Sequence, residues 1–338
     1  MWSWDVAGRQ PLRRYFGHSD FVKNVVCTRL ARLLPSGNGT DQAACAKTGP
    51  AVNGGVDILI SGSADATIIV WVASTGEKLH VLKGHTRGVL DLAIDPISRP
   101  LFTSSSLPEG LILFSAGSDR EIRRWHISIP TANEIESQSP ILAHETSVNR
   151  LHFLQSSNID DYEVDGEDLW TASSDNTARC LSRQHNWSPD TTLLHPDFVR
   201  DIVVEEAGGW VVTACRDEEV RVWDAASGKL ACVFSGHYEE VTGLVLMDRH
   251  EKGGRAAREV VSVGIDGTIR RWNLSRENIV KVREAAEKKA KAVRNGEVVE
   301  LAEVQEKVSV DMKEERKETV LTEDEERELA ELMDSDAE

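Results

Sequence analysis

Histidine, a serine or threonine hydroxyl and aspartate are the groups of a hydrolytic relay, and they recur together five times in this chain. The sets are His18, Ser61 and Asp65; His85, Ser115 and Asp119; His144, Thr171 and Asp175; His195, Thr213 and Asp217; and His237, Ser262 and Asp266. Repetition argues against catalysis, because a working triad needs one exposed nucleophile beside an oxyanion hole. No G-x-x-x-x-G-K-[ST], H-E-x-x-H or G-x-S-x-G run occurs. Cys27, Cys45, Cys180, Cys215 and Cys232 form no C-x-x-C pair, which leaves no zinc or redox motif. The expectation is a protein without enzymatic activity, cofactor or metal, in which these sets hold structure.

Spacing shows what they hold. The Asp follows the Ser or Thr by four residues, and a large apolar residue follows six later: Trp71, Trp125, Leu181, Trp223 and Trp272. Every His is followed four residues on by valine, at Val22, Val89, Val148, Val199 and Val241, and Gly17, Gly84 and Gly236 precede three of them. Units therefore start near residues 17, 84, 143, 194 and 236. Short β-branched runs such as ILISGS and TIIVWV alternate with turn formers, too closely spaced for helices, so the units are built of strands. One small sheet cannot bury both of its faces, and stacked repeats can.

The pattern resembles the WD-repeat (WD40-type) β-propeller family over roughly residues 2–274. Trp4-Asp5 and Trp223-Asp224 keep the full dipeptide, while Trp71, Trp125 and Trp272 keep only the Trp. The resemblance implies an all-β propeller of four-stranded blades. Five blades are recognisable, preceded by a half-blade in WSWD and PLRRYF. Either the ring is open or belongs to a larger, N-terminally truncated propeller, or residues 11–16 complete the last unit. The resemblance also implies that His, Ser/Thr, Asp and Trp of one unit form a hydrogen-bonded chain, with Leu181 breaking the last link in the third. Insertions at 32–55, 96–110, 156–168 and 248–259 all fall between first and second strands.

A charged tail, 275–338, follows the propeller, 1–274. Residues 276–338 hold 12 Lys or Arg against 20 Asp or Glu, −8 of the chain's −17. A helix capped by Ser275 is expected. Farther on, Thr322 and Glu325 have capping-box spacing before an apolar stripe at Leu329, Leu332 and Met333, in a stretch otherwise expected to be solvated or disordered.

Binding is expected on one rim. In each unit the apolar residues four and seven after the His must both face inward, which requires an extra residue between them, a β-bulge. The residue before each turn Asp faces the same side in the family. Arg150, Arg200 and Arg216 then fall on adjacent units, with Lys23 farther round, as candidate partner-binding residues for an acidic or phosphorylated segment. Arg123, Arg179, Arg221 and Arg270 share one repeat position and read as part of the repeat itself. The net charge of −17 argues against direct nucleic-acid binding. No signal peptide or membrane span is visible, and the cysteines suit the cytoplasm or nucleus. The expected function is a protein-interaction scaffold or adaptor in a multiprotein complex. The alternatives are a ubiquitin-ligase substrate receptor and an RNA-processing or ribosome-assembly factor.

Overall fold

Strands such as Thr67–Val72 bury every residue after the first, and Trp210–Cys215 does the same. A strand buries both faces only when its sheet is covered on both sides. In a computed structural model of the chain, which describes residues 1–5, 10–31, 55–96, 110–137, 140–153, 168–250 and 256–294, five antiparallel sheets meet that need as propeller blades. Blade 1 is β3 (Val22–Ala31), β4 (Gly55–Ser63), β5 (Thr67–Val72) and β6 (Lys78–Lys83). Blade 2 is β7 (Val89–Ile94), β8 (Gly110–Gly117), β9 (Ile122–Ser128) and β10 (Ala132–Glu134). Blade 3 is β11 (Val148–Phe153), β12 (Leu169–Ser173), β13 (Thr177–Ser182) and β14 (Ser188–Leu194). Blade 4 is β15 (Val199–Glu205), β16 (Trp210–Cys215), β17 (Glu219–Asp224) and β18 (Leu230–Ser235). Blade 5 has three strands, β19 (Val241–His250), β20 (Ala256–Gly264) and β21 (Ile269–Asn273). The first strands of consecutive blades lie side by side.

The core lies between blades. Ile60, Ile68 and Val70 of blade 1 meet Val89, Leu92 and Ile94 of blade 2. In blade 3, where Leu181 replaces the repeat's Trp, Trp187 from the next turn packs edge-on against Phe114 at 4.9 Å. Ala143 and Leu194 stand before His144 and His195 where other units have glycine. A Cβ at the equivalent Gly84 would lie 3.0 Å from the Trp125 ring.

The N-terminal half-blade is a hairpin of β1 (Trp2–Asp5) and β2 (Gln10–Arg14), which among the described residues pair only with each other. Residues 11–16 therefore do not complete the last blade. Instead Tyr15 packs on Trp71 of blade 1 and donates a 3.0 Å hydrogen bond to the Ala73 carbonyl. The insertions fall between first and second strands, and they lie mostly outside the described residues.

The helix α1 (Arg276–Arg294) follows directly. Ser275 caps it, its Oγ accepting the Asn278 amide at 3.3 Å. Ile279 and Leu274 are buried against Cys232, Phe234 and Val260, with Val282 beside them. The chain divides into compact units Met1–Arg283 and Glu284–Glu338. Thr322, Glu325, Leu329, Leu332 and Met333 lie outside the described residues. No described helix is long and apolar enough to cross a membrane.

Candidate functional site

Four of the five sets become relays because the turn between second and third strands points its Asp back at the His that opens the unit. In blade 1 the Trp71 indole N–H donates to Ser61 Oγ at 2.8 Å, and Ser61 Oγ lies 2.8 Å from His18 Nε2. His18 Nδ1 then donates to Asp65 at 3.0 Å. Blade 2 repeats these links through Trp125, Ser115, His85 and Asp119. Blade 5 does so through Trp272, Ser262, His237 and Asp266. Blade 3 keeps Thr171, His144 and Asp175, and Thr171 Oγ1 turns to the Arg179 carbonyl at 3.1 Å. In these four blades the amide of the residue after the His also donates to the Asp: Ser19, Thr86, Glu145 and Tyr238. Burial opposes ionisation of Asp65, but hydrogen bonds from Thr67, the Ser19 amide and His18 prevail and lower its pKa to about 2. Against the same burial, His85 and the Thr86 amide hold Asp119 at about 2, and Asp175 and Asp266 are also lowered.

Blade 4 departs from the expected set. Trp223, Thr213 and His195 are linked at 2.9 and 2.8 Å, but His195 Nδ1 donates to the Leu193 carbonyl and not to Asp217. Pro196 follows this histidine and has no amide hydrogen to hold the carboxylate. Asp217 turns instead to Arg221, which grips it through two bonds of 2.9 and 2.5 Å. Burial and the nearby Arg221 cation lower the His195 pKa to about 4.

These groups are spent on one another. His85, Asp119 and Glu121 bring ligand atoms within 4.8 Å of each other, but His85 is bonded at both nitrogens and Glu121 pairs with Arg123. Burial pushes the thiols of Cys180 and Cys232 up to about 12 and that of Cys215 to about 11, so none is a thiolate nucleophile near neutral pH.

The rim is shaped by a bulge in every first strand. Pairing skips one residue after Val22, Val89, Val148, Val199 and Val241. The extra residues are Lys23, Leu90, Asn149, Arg200 and Thr242. This separates the candidate arginines. Arg200 is an extra residue, whereas Arg150 is one place farther on and pairs in register with Ala172, as Asp201 does with Ala214. Arg150 is accordingly held between two buried carboxylates, 3.5 Å from Asp91 and 3.1 Å from Asp201. Asp91 accepts the Leu151 amide at 2.7 Å and a short bond from Asn24, and Asp201 accepts the Leu244 amide at 2.7 Å. Burial pushes Asp91 up to about 7 against the pull of Arg150 and the Leu151 and Leu92 amides, and raises Asp201 likewise.

Arg200 and Arg216 share the ring of Phe198, at 5.8 and 5.2 Å from its centroid. Arg200 also contacts Glu240 closely, and Arg216, half exposed, reaches Asp197 only at 4.0 Å. Lys23 sits apart on blade 1 over the exposed ring of Phe21 at 5.9 Å. Sequence reasoning missed Phe198 and Phe21, although each lies three residues after its histidine, beside the candidate cation. Of the recurrent third-strand arginines, Arg123 pairs with Glu121 and Glu134, Arg179 donates to the Ala143 carbonyl, and Arg270 lies over Tyr238.

A family model described as "WD domain, G-beta repeat" matches residues 76–126 and 173–224. An uncharacterized WD repeat-containing protein of Schizosaccharomyces pombe is 32% identical over 273 residues, 80% of this chain and 59% of that protein. The nuclear distribution protein nudF of Aspergillus niger is 31% identical over 180 residues, 53% of this chain and 35% of its own length. A p21-activated protein kinase-interacting protein 1-like protein of Xenopus laevis is 26% identical over 223 residues, covering 65% and 51%. The chain thus spans 59% or less of the length of these three relatives. The crystal structure of the computationally designed Ika8 protein shares the fold, with a TM-score of 0.52 and 23% identity over 81% of this chain and 64% of that one. The repeated relays, the stacked blades and these likenesses agree, and the chain belongs to the WD-repeat family.

Proposed function

We propose that this chain is a non-catalytic interaction scaffold that seats an acidic or phosphorylated segment of a partner protein on the rim of blade 4. The observation that carries the reading is one exposed edge bearing two guanidinium groups around a single ring, Phe198. A guanidinium fork suits carboxylate or phosphate, and the ring adds apolar area beside it. Arg216 is the freer of the two, and Arg200 would exchange Glu240 for the ligand. Lys23 over Phe21 offers a second, simpler contact on blade 1. Arg150 is left out, because its charge is already matched by Asp91 and Asp201. The relays support a structural role for the His, Ser/Thr and Asp sets, since Ser61, Ser115, Thr171, Thr213 and Ser262 are buried and bonded within their own blades. The Xenopus relative is named for an interaction with a protein kinase, in keeping with an adaptor.

An array of phosphoserine, glutamate-rich and neutral peptides, probed with the full chain, tests the site. Arg216→Glu combined with Arg200→Glu should abolish retention of the anionic peptides while the melting temperature stays within about 2 °C. Equal retention by parent and variant would retire blade 4 as the docking edge.

A further inference from the structure

Two exposed arginines of blade 2 stand where the repeat elsewhere has acidic, small or polar residues. Two places after each histidine the chain carries Asp20, Arg87, Thr146, Asp197 and Glu239. One place after each turn aspartate it carries Ala66, Arg120, Asn176, Glu218 and Gly267. Arg87 and Arg120 are the only cations at these positions. The needs of the fold explain neither. Asp20 and Asp197 each accept the amide of the next residue, at 2.7 and 2.8 Å, a local bond that an arginine side chain cannot accept. Arg120 holds a left-handed backbone at φ 64°, which glycine adopts without steric cost. Among the described residues neither guanidinium has an ion pair or a hydrogen bond.

The two arginines line one groove of about 590 Å³ at the seam of blades 2 and 3, together with Thr86, Ser118, Thr146 and Ser147. Backbone bonds fix its walls. The Ser118 amide donates to the Gly88 carbonyl at 2.8 Å, which ties the turn of Arg120 to the segment of Arg87. The Glu145 amide donates to Asp175 at 3.1 Å and anchors the opposite wall. Two carboxylates share the groove. Asp119 is taken up by His85 and by the Thr86 and Glu121 amides, whereas Glu145 is exposed on the blade 3 side. A ligand carboxylate offers two oxygens and is satisfied by one guanidinium fork. A phosphate monoester offers three terminal oxygens and nearly two charges, enough for both forks and a hydroxyl. Glu145 opposes a second anion beside it and favours a cation.

We propose that the groove between blades 2 and 3 binds a phosphorylated serine or threonine of a partner polypeptide, next to a lysine or arginine that Glu145 holds. Arg87 and Arg120 grip the phosphate, and the groove hydroxyls complete its donors. The backbone cost at Arg120 is then kept for binding, as strain at functional positions is. The site belongs to other blades than the Phe198 edge and stands or falls separately from it.

The probe is a fluorescent glycine-alanine peptide with phosphoserine between two lysines, and its controls carry serine or glutamate in that place. Anisotropy titration with the full chain should show the phosphoserine form bound about tenfold more tightly than either control. Arg120→Gly should weaken that binding by about tenfold while it raises the melting temperature. Arg87→Ala should weaken it by about the same factor and leave the melting temperature in place. Arg200→Glu combined with Arg216→Glu should change it by no more than about twofold. Binding of a control as tight as that of the phosphoserine form would overturn the proposal, as would unchanged binding by Arg120→Gly and Arg87→Ala. Loss of binding in the blade 4 variant alone would move the phosphate to the Phe198 edge and retire the groove. Displacement of the peptide by an equal concentration of inorganic phosphate would make free phosphate the ligand and overturn the assignment to a partner polypeptide.

Discussion

At the scale of single residues, the turn after each second strand places one residue in the left-handed region: Ala66, Arg120, Asn176, Glu218 and Gly267, at φ from 64° to 73°. Only Gly267 adopts it without steric cost, and Asn176 tolerates it. Arg120→Gly and Glu218→Gly should therefore each raise stability, by about 0.5–1 kcal/mol after the glycine's own entropy cost is subtracted. Denaturant melts check this, and a loss of stability in both variants would contradict it. The same scale shows what a single residue can hide. The relays were legible because their residue types recur at fixed offsets. The failure of the fourth was also written in the chain, in the proline directly after His195, but it is read only once the amide at that position is known to hold the carboxylate. Arg150 and Arg200 differ by one place relative to their histidines, six residues against five. One place on a bulged strand is the difference between pairing with two buried carboxylates and standing beside the Phe198 ring.

At the scale of elements, the bulges followed from two inward apolar residues three apart, a spacing that a regular strand cannot satisfy. What each bulge brings together across blades was not legible, because Asn24, Asp91, Arg150 and Asp201 come from four first strands separated by more than fifty residues of chain. Their network has a consequence for pH. Asp91 has a folded pKa of about 7, above its ordinary value of 3.8. The folded chain thus retains a proton that the unfolded chain releases, and stability falls as pH rises from about 4 to about 7, then levels. Asp91→Asn keeps an acceptor for the Leu151 amide and removes this dependence. Melting temperatures of parent and variant should diverge in favour of the variant across that window and run parallel above it. Parallel curves throughout would show that Asp91 is ionised in the folded state.

At the scale of the whole molecule, the relays act in the opposite sense. Asp65 and Asp119 have folded values of about 2 against 3.8. Their contribution is complete above about pH 4 and is lost as pH falls to about 2. Acid unfolding should set in over that interval, and Asp65→Ala, which strands His18 and the Ser19 amide, should reduce both its steepness and the stability at neutral pH, the latter by about 1–3 kcal/mol. A variant with unchanged acid transition would remove the relay from this role. The blade count was legible from the repeat, whereas the exposure of Val25 was not, since its type matches its buried counterparts. The broken relay of blade 4 also changes the view that an approaching ligand meets. Asp65, Asp119, Asp175 and Asp266 are held by imidazoles, hydroxyls and amides, whereas Asp217 alone is clasped at both oxygens by a guanidinium. On the proposed reading, a phosphate or carboxylate that comes within the screening length of about 8 Å in physiological salt meets beside Arg216 a turn whose Asp217 is already neutralised by Arg221.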